Sequence, residues 1–196
     1  MAFSDFKTIA QVQEAYNIKY YEKDFIEYQK LTPSKHFIKE FEFSEKNIDI
    51  FTSEYSRCEN VIYPILREVY KEFVDKYSLW SHKLITYDAK LNGIPDYLFA
   101  TKSELGKTVV GLPIITIVEA KQNDFNEGWG QCLAELIAAQ KINKSDEFPV
   151  FGIVTDGEIW QFGKLVFDKF TKNKTRITIN NLNKIFGAIG FLLSQR

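Results

Sequence analysis

The spacing of hydrophobic positions divides this chain into helical and alternating stretches. Ile9, Val12 and Tyr16 recur at helical spacing and predict a short amphipathic helix over Thr8–Tyr16. A second helix is expected from near Pro33, a residue suited to a first helical turn. From Ser53 to Lys76 the apolar positions Tyr55, Cys58, Ile62, Ile65, Val69 and Phe73 form one long stripe, interrupted by Pro64, which should kink the helix. The period then falls to two. His82–Lys90 reads as a strand, Asn92-Gly93 as a type I′ hairpin turn, and Ile94–Ala100 as the returning strand. A polar loop over Thr101–Gly111 leads to the apolar run Leu112–Lys121, which suits a strand buried on both faces. An Ala-rich helix follows over Trp129–Ile142, then a buried strand over Val150–Thr155. Asp156-Gly157 turns this strand into Glu158–Phe162. A second hairpin runs to about Ile179, and an apolar-faced helix over Leu182–Leu193 closes the chain.

The order helix, strand, strand, strand, helix, strand predicts an α/β fold with a mixed sheet: a hairpin first, then a helical crossover to a parallel partner. Residues 1–50 read as an N-terminal helical extension packed on a core formed by residues 51–196. With 196 residues, 45% of them hydrophobic, and 17 Phe, 10 Tyr and 3 Trp, the chain has ample apolar surface for a core, and intrinsic disorder is excluded as its main state. The apolar run Val109–Val118 is about half the length of a membrane span. Asp5, Lys7 and Glu14 break any signal-peptide core. Cys58 and Cys132 show no ligand spacing, so a reducing, cytoplasmic location is expected. Charge is balanced, with 25 basic against 26 acidic residues and a net charge of −1, which argues against a protein that coats nucleic acid electrostatically. One local basic tract, Lys164, Lys169, Lys172, Lys174 and Arg176, is diluted by Asp168 and reads as lysines guarding an edge strand.

The candidate chemistry sits at strand ends. Asp96 follows Pro95, and Glu119 and Lys121 end the run that begins at Leu112. Side chains two apart on a strand share a face, so Glu119 and Lys121 point together, with Ala120 between them. If the two strands are neighbours, Asp96 reaches the same place. Adjacent carboxylates repel, and a hard divalent cation relieves the repulsion. Mg²⁺ (or Mn²⁺) commonly takes one or two carboxylates, keeps waters and accepts phosphate oxygens; the Ala120 carbonyl would add an oxygen ligand. Such an ion activates water and polarises a phosphoryl group, and Lys121 would orient the water or offset transition-state charge. The rival reading is an exposed, charged strand end. Two other motifs carry nothing. Gly106-Lys107-Thr108 lacks the earlier Gly of a phosphate-binding loop, since Thr101 stands there. Asn143-Lys-Ser and Asn173-Lys-Thr are glycosylation patterns without meaning in the cytoplasm.

Pro95-Asp96, then Glu119-Ala120-Lys121 ending an apolar strand, then an Ala-rich helix beginning near Gln131, resembles the PD-(D/E)XK nuclease superfamily. The segment Gly152–Phe162 is similar to the strand–turn–strand of its restriction-type members. Together with Met1–Phe6 and Gly130–Leu136, the likeness covers essentially the whole chain and resembles a group of small stand-alone bacterial members. It implies a restriction-endonuclease-like mixed sheet flanked by helices, and Mg²⁺- or Mn²⁺-dependent hydrolysis of phosphodiester bonds, with DNA as the expected substrate. Its signature falls on Asp96, Glu119 and Lys121. It further implies a catalytic Gln131 on the following helix, with Glu135 where that branch often has Tyr, and a metal-directed Glu59 on the first helix. Each of these has a plainer reading: a helix cap or surface group for Gln131 and Glu135, and a solvated helix edge for Glu59. Trp160 reads as core; His36 and His82 are assigned no role. Specificity would reside in the loops Lys102–Gly111 and Asn123–Gly128. Two alternatives stay open: a nuclease-like fold that binds nucleic acid or protein without cutting, and a subunit of a larger restriction or repair system. A homodimer would widen the small groove that one domain offers to duplex DNA.

Overall fold

A computed structural model describes residues 2–122 and 124–195. Met1 of the opening segment and Asn123 of the loop before the Ala-rich helix therefore lie outside the described residues. The fold is a mixed α/β layer structure. In chain order the elements are α1 (Ile9–Tyr16), β1 (Lys19–Glu22), α2 (Lys35–Asn47), α3 (Glu54–Arg57), α4 (Tyr63–Tyr70), β2 (Tyr77–Ser81), β3 (Ile85–Thr86), β4 (Asn92–Gly93), β5 (Tyr97–Thr101), β6 (Ile114–Ala120), α5 (Phe125–Asn143), β7 (Val150–Thr155), β8 (Ile159–Val166), β9 (Lys169–Lys172), β10 (Ile177–Thr178) and α6 (Leu182–Ser194). The main sheet runs β1-β9-β8-β7-β6-β5-β2, with β10 pairing along β8. β6 and β7 are parallel and joined by α5; β1 and β9 are also parallel, and the other pairs in this sheet are antiparallel. The expected succession of helix, three strands, helix and strand is thus present as α3–α4, β2, β5, β6, α5 and β7. It is the core arrangement of a restriction-endonuclease-like fold.

Each face of the sheet is closed by its own core. On one face, Val61, Ile62, Ile65 and Val69 of the α3–α4 helix pack with Phe37 and Phe41 of α2 and with Ile185, Ile189 and Leu192 of α6. On the other, Leu133, Leu136 and Ile137 of α5 pack with Ile117, Val154, Leu165 and Phe170. α5 is buried along almost its whole length, Gly128–Gln140, so it needs apolar cover on two sides. The sheet covers one side. The N-terminal residues Phe3, Phe6 and Val12 cover the other.

The first fifty residues are therefore more than a helical extension. Residues 19–22 form a strand of the main sheet, and Phe3, Phe6, Val12 and Ile18 belong to the core around α5. Periodicity could not show β1, because its exposed positions carry no alternating apolar signal. Three further expectations shift. The edge strand beside β5 is Tyr77–Ser81, not His82–Lys90. Asn92-Gly93 is not a turn but pairs with Ile85–Thr86; the reversal lies at Asp88, whose side chain accepts from the backbone N–H of Lys90 and Leu91 at 2.7 and 2.8 Å. Gly93 is required there because a Cβ would stand 2.6 Å from the Phe3 ring. Finally, Pro64 does not simply kink the long helix. A π-helical turn over Cys58–Ile62 precedes it, and the Tyr63 N–H reaches back to the Cys58 carbonyl, so the widened turn absorbs the donor that proline lacks. Among the described residues no helix is long and apolar enough to cross a membrane.

The close approach of the N-terminal segment to α5 depends on Gly130. A Cβ there would lie 2.5 Å from the Thr8 amide nitrogen and 2.6 Å from the Phe6 carbonyl oxygen. Because backbone cannot step aside as a side chain does, Gly130→Ala should cost about 1–3 kcal/mol. The expected result is a lower urea midpoint together with faster proteolysis around residues 6–8. An unchanged midpoint would mean that the segment is not clamped on α5.

Candidate active site at the end of strand β6

β5 and β6 are antiparallel neighbours, with Tyr97 opposite Val118. One step beyond that pair, Asp96 comes opposite Glu119 and shares its face of the sheet. The Asp96 carboxylate is anchored by the backbone N–H of Ala120, which donates to Oδ2 at 2.7 Å. The other oxygen lies 3.6 Å from Nδ1 of the exposed His82, whose own N–H donates to the Asp96 carbonyl at 2.8 Å. Lys121 follows directly, its N–H bonded to the Thr155 carbonyl of β7. The stem of Lys121 runs beneath the first turn of α5: a Cβ on Gly128 would come within 3.1 Å of Lys121 Cγ and 2.7 Å of Val154 Cγ1. Asp124 caps this turn by accepting from the Glu127 N–H at 2.9 Å.

α5 also brings Gln131 and Glu135, one turn apart, onto the face that meets the sheet. The Gln131 side-chain amide donates to Glu135 Oε1 at 3.2 Å. Glu135 is fully buried, and Glu119 is 1% exposed. Neither Glu119 oxygen, nor Oε2 of Glu135, has a hydrogen-bond donor among the described residues. The two carboxyls are within bonding reach of each other, but a bond between them forms only when one carries a proton.

Electrostatics follow from this geometry. Burial, reinforced by the Glu135 and Asp96 charges, pushes Glu119 well above the usual carboxylate range. Burial likewise raises Glu135 to about 8. Asp96 is raised by burial, against the opposing pull of the Ala120 N–H, Lys121 and His82. For Lys121 burial alone would weaken the ammonium, yet Glu119, Glu54, Asp96 and Glu127 together hold it above its ordinary value. One cation thus faces several carboxyl groups, two of which, Glu119 and Glu135, are shut off from water.

Three placements differ from what the sequence suggests. The helical carboxyl nearest the triplet is that of Glu54, which contributes to the field at Lys121 and Asp96 and accepts from the Gln122 N–H at 3.0 Å. Glu59 is exposed and lines a separate groove of about 270 Å³ between α2 and α4, with His36, Glu40 and Arg67. Glu54 and Glu59 lie on one helix, and the π-helical turn that changes their relative direction is not legible as a motif. His82, unassigned in sequence, adjoins Asp96. Glu135, which the sequence leaves as a cap or surface group, is fully buried against Glu119; its helical spacing from Gln131 was the available signal. Trp160 is core, as expected.

Among the described residues no three His, Cys, Asp or Glu side chains form a ready-made metal cluster. The unpaired, buried oxygens of Glu119 beside Asp96 nevertheless suit a hard divalent cation, which needs only one or two carboxylates from protein.

No family model matches the chain, and no curated protein matches it. Among solved structures it is similar to the cryo-EM structure of a DrdV–DNA complex, at 13% identity and a TM-score of 0.47, over 82% of this chain and 14% of that one. The chain thus spans about a seventh of that protein's length.

A pH signature follows from the raised carboxyls. Between the ordinary Glu value near 4.3 and about 8 the folded protein holds protons that the unfolded chain has released. Stability measured in EDTA should therefore fall as pH rises through this window, by up to about 1.4 kcal/mol per pH unit for each retained proton. Glu135→Gln should flatten the slope. A slope equal to that of the parent protein would mean that Glu135 titrates normally.

Proposed function

We propose that this chain is a metal-dependent nuclease that hydrolyses phosphodiester bonds, with DNA as its substrate. The observation that carries this reading is the Glu119 carboxyl. It is enclosed, and among the described residues neither oxygen has a donor except a protonated Glu135, on the face of the sheet that also holds Asp96 and Lys121. Burying such a group with so little support is costly, and a cation bound between Glu119 and Asp96 would relieve that cost. Asp96 and Glu119 would hold Mg²⁺ or Mn²⁺, with the Ala120 carbonyl as a further oxygen ligand. The ion supplies polarisation of a phosphoryl oxygen and a lowered pKa for bound water.

The remaining roles belong to side chains. The Ala120 N–H keeps one Asp96 oxygen fixed, and the other, 3.6 Å from His82 Nδ1, would turn to the ion. Lys121, kept protonated by its carboxyl neighbours, orients the attacking water or offsets charge that grows on the phosphorus oxygens. Gln131 holds Glu135 in place through its side-chain amide and so sets the position of the carboxyl that faces Glu119. In this arrangement Gln131 is a positioning residue. A homodimer would supply the width of groove that duplex DNA needs.

The second reading, a nuclease-like subunit that binds without cutting or cuts only with a partner, is favoured by one observation: Glu119 is almost wholly enclosed, so substrate access requires some opening around it.

The test is incubation with circular single-stranded and supercoiled duplex DNA in Mg²⁺, Mn²⁺ or EDTA. Cutting in either metal, its absence in EDTA, and a loss of at least about a hundredfold in Glu119→Ala and Lys121→Ala are expected. Full activity in either variant would overturn the assignment. Titration calorimetry separates the two readings further: Mn²⁺ should bind the parent protein and not Glu119→Ala. An ion that neither protein takes up would leave only the non-catalytic reading.

A further inference from the structure

The basic tract at the β8–β9 hairpin does not guard a sheet edge. β9 is an interior strand, flanked by β8 on one side and β1 on the other. Two of its lysines are half-buried rather than freely solvated: Lys164 stands over the Phe25 ring on one face of the sheet, and Lys172 over the Trp129 ring on the other. Edge protection therefore leaves Lys172 and its neighbours unexplained.

Their position relative to the site is set by strand register. Glu119 lies beside Val154 of β7, and Val154 beside Gln161 of β8. All three share the face on which α5 packs. Gln161 accepts the indole N–H of Trp129 at 2.9 Å, and Lys172 lies on the ring of that same tryptophan, 5.4 Å from its centroid. Arg176 immediately precedes the Ile177–Trp160 pair, which places it level with Gln161 beyond β8. Gly128 covers the Lys121 stem, and the next residue, Trp129, supports Lys172, so consecutive residues in one turn of α5 touch the two cations. With Lys172, opposite Gly163, offset by two residues along the strands, three strand spacings of about 4.8 Å put Arg176 about 14 Å from Glu119. That is about four nucleotides along a strand rising about 3.4 Å each.

The segment carrying these charges is rigid. The Asn173 side chain accepts from the Phe25 N–H at 2.9 Å and donates to the Thr175 carbonyl at 2.9 Å, and Asp24 accepts from the Thr175 N–H at 2.7 Å. Among the described residues, Lys172, Lys174 and Arg176 make no ion pair. Two carboxylates lie near, Glu22 acting on Lys172 and Asp24 on Lys174; each also accepts from a neutral donor, the Tyr20 hydroxyl and the Thr175 amide. Lys172 and Arg176 repel each other, which lowers the Lys172 ammonium beyond the effect of its burial. Three cations facing two carboxylates, with no ion pair formed between them, leave a net positive charge suited to an anion that bridges them.

We propose that Lys172, Arg176 and the adjoining Lys174 form a track for the phosphates of a nucleic-acid strand leading away from the Glu119 site. This inference rests on the nuclease reading for its substrate class, but its readout is binding rather than cutting.

The experiment measures fluorescence anisotropy of a labelled 30-nucleotide single strand and a 30-base-pair duplex, with Ca²⁺ as the cation, across a range of salt. Lys172→Gln/Arg176→Gln is compared with Lys141→Gln/Lys144→Gln at the opposite end of α5. The first variant should lose at least about tenfold in affinity at 0.1 M salt, and its salt dependence should be shallower by about 1.4 to 1.8, the value for two lost phosphate contacts. The control should match the parent. Arg176→Gln alone, at an exposed position, should show about half the change in slope even if the double variant is unstable. Parent-like affinity and slope in Arg176→Gln and the double variant overturn the track, as does an equal loss in the control. A parent protein that binds with a slope these variants lose, yet cuts no DNA, upholds the track and overturns the nuclease reading instead.

Discussion

The enclosure of two carboxyl groups against each other is the constraint on which the rest of this structure turns. Glu119 at the end of β6 and Glu135 on α5 meet where neither can be hydrated, and among the described residues the side-chain amide that reaches the pair is that of Gln131. An arrangement of this kind is unfavourable by itself, because desolvation opposes ionisation and ionised neighbours repel. It persists because α5 is held down over its whole length. The sheet lies beneath it, and Phe3, Phe6 and Val12 lie above. The packing energy of a helix buried on all sides far exceeds what one uncompensated carboxyl pair removes, since each fully buried large apolar side chain contributes about 1.5–3 kcal/mol.

The same clamp connects the N-terminal segment to the chemistry. Gly130 lets the Phe6–Thr8 backbone touch α5, Gly128 lets α5 settle on the Lys121 stem, and Gly152 leaves room for Cys132 and Leu136. Three glycines at points of close approach therefore fix the height of α5 above the sheet. That height sets how near Glu135 comes to Glu119. Sheet register does the complementary work in the other direction. Antiparallel pairing of β5 and β6 puts Asp96 opposite Glu119, and the Ala120 N–H holds its carboxylate in place. Two neighbouring strands thereby deliver their acids to one point, and the residue that follows β6 delivers the cation beside them.

Much of this was legible beforehand. The strand Val150–Thr155, the long buried helix and the closing helix follow from hydrophobic period alone, since each buries one face or both and the pattern records it. The convergence of Asp96, Glu119 and Lys121 was also legible: alternation along a strand settles which residues share a face, and a neighbouring antiparallel strand supplies the third. Where reading failed, the determining contact was long-range. Strand β1 exists because β9 offers it a partner, not because Lys19–Glu22 alternates. Asn92-Gly93 has the composition of a turn but is held extended against Ile85–Thr86.

The amino-acid sequence by itself determined the order of elements, the layered α/β class and the position of the acidic triplet at a strand end, because these depend on local period and on which side chains tolerate burial. Tertiary structure decided the rest: that Glu54 rather than Glu59 adjoins the site, that Glu135 faces Glu119, and that Arg176 comes level with Glu119 across the sheet, with Lys172 two residues away. Each of these depends on helix phase or strand register between segments far apart in the chain. A π-helical turn or a one-residue shift alters such a relation completely while leaving the local hydrophobic pattern almost unchanged.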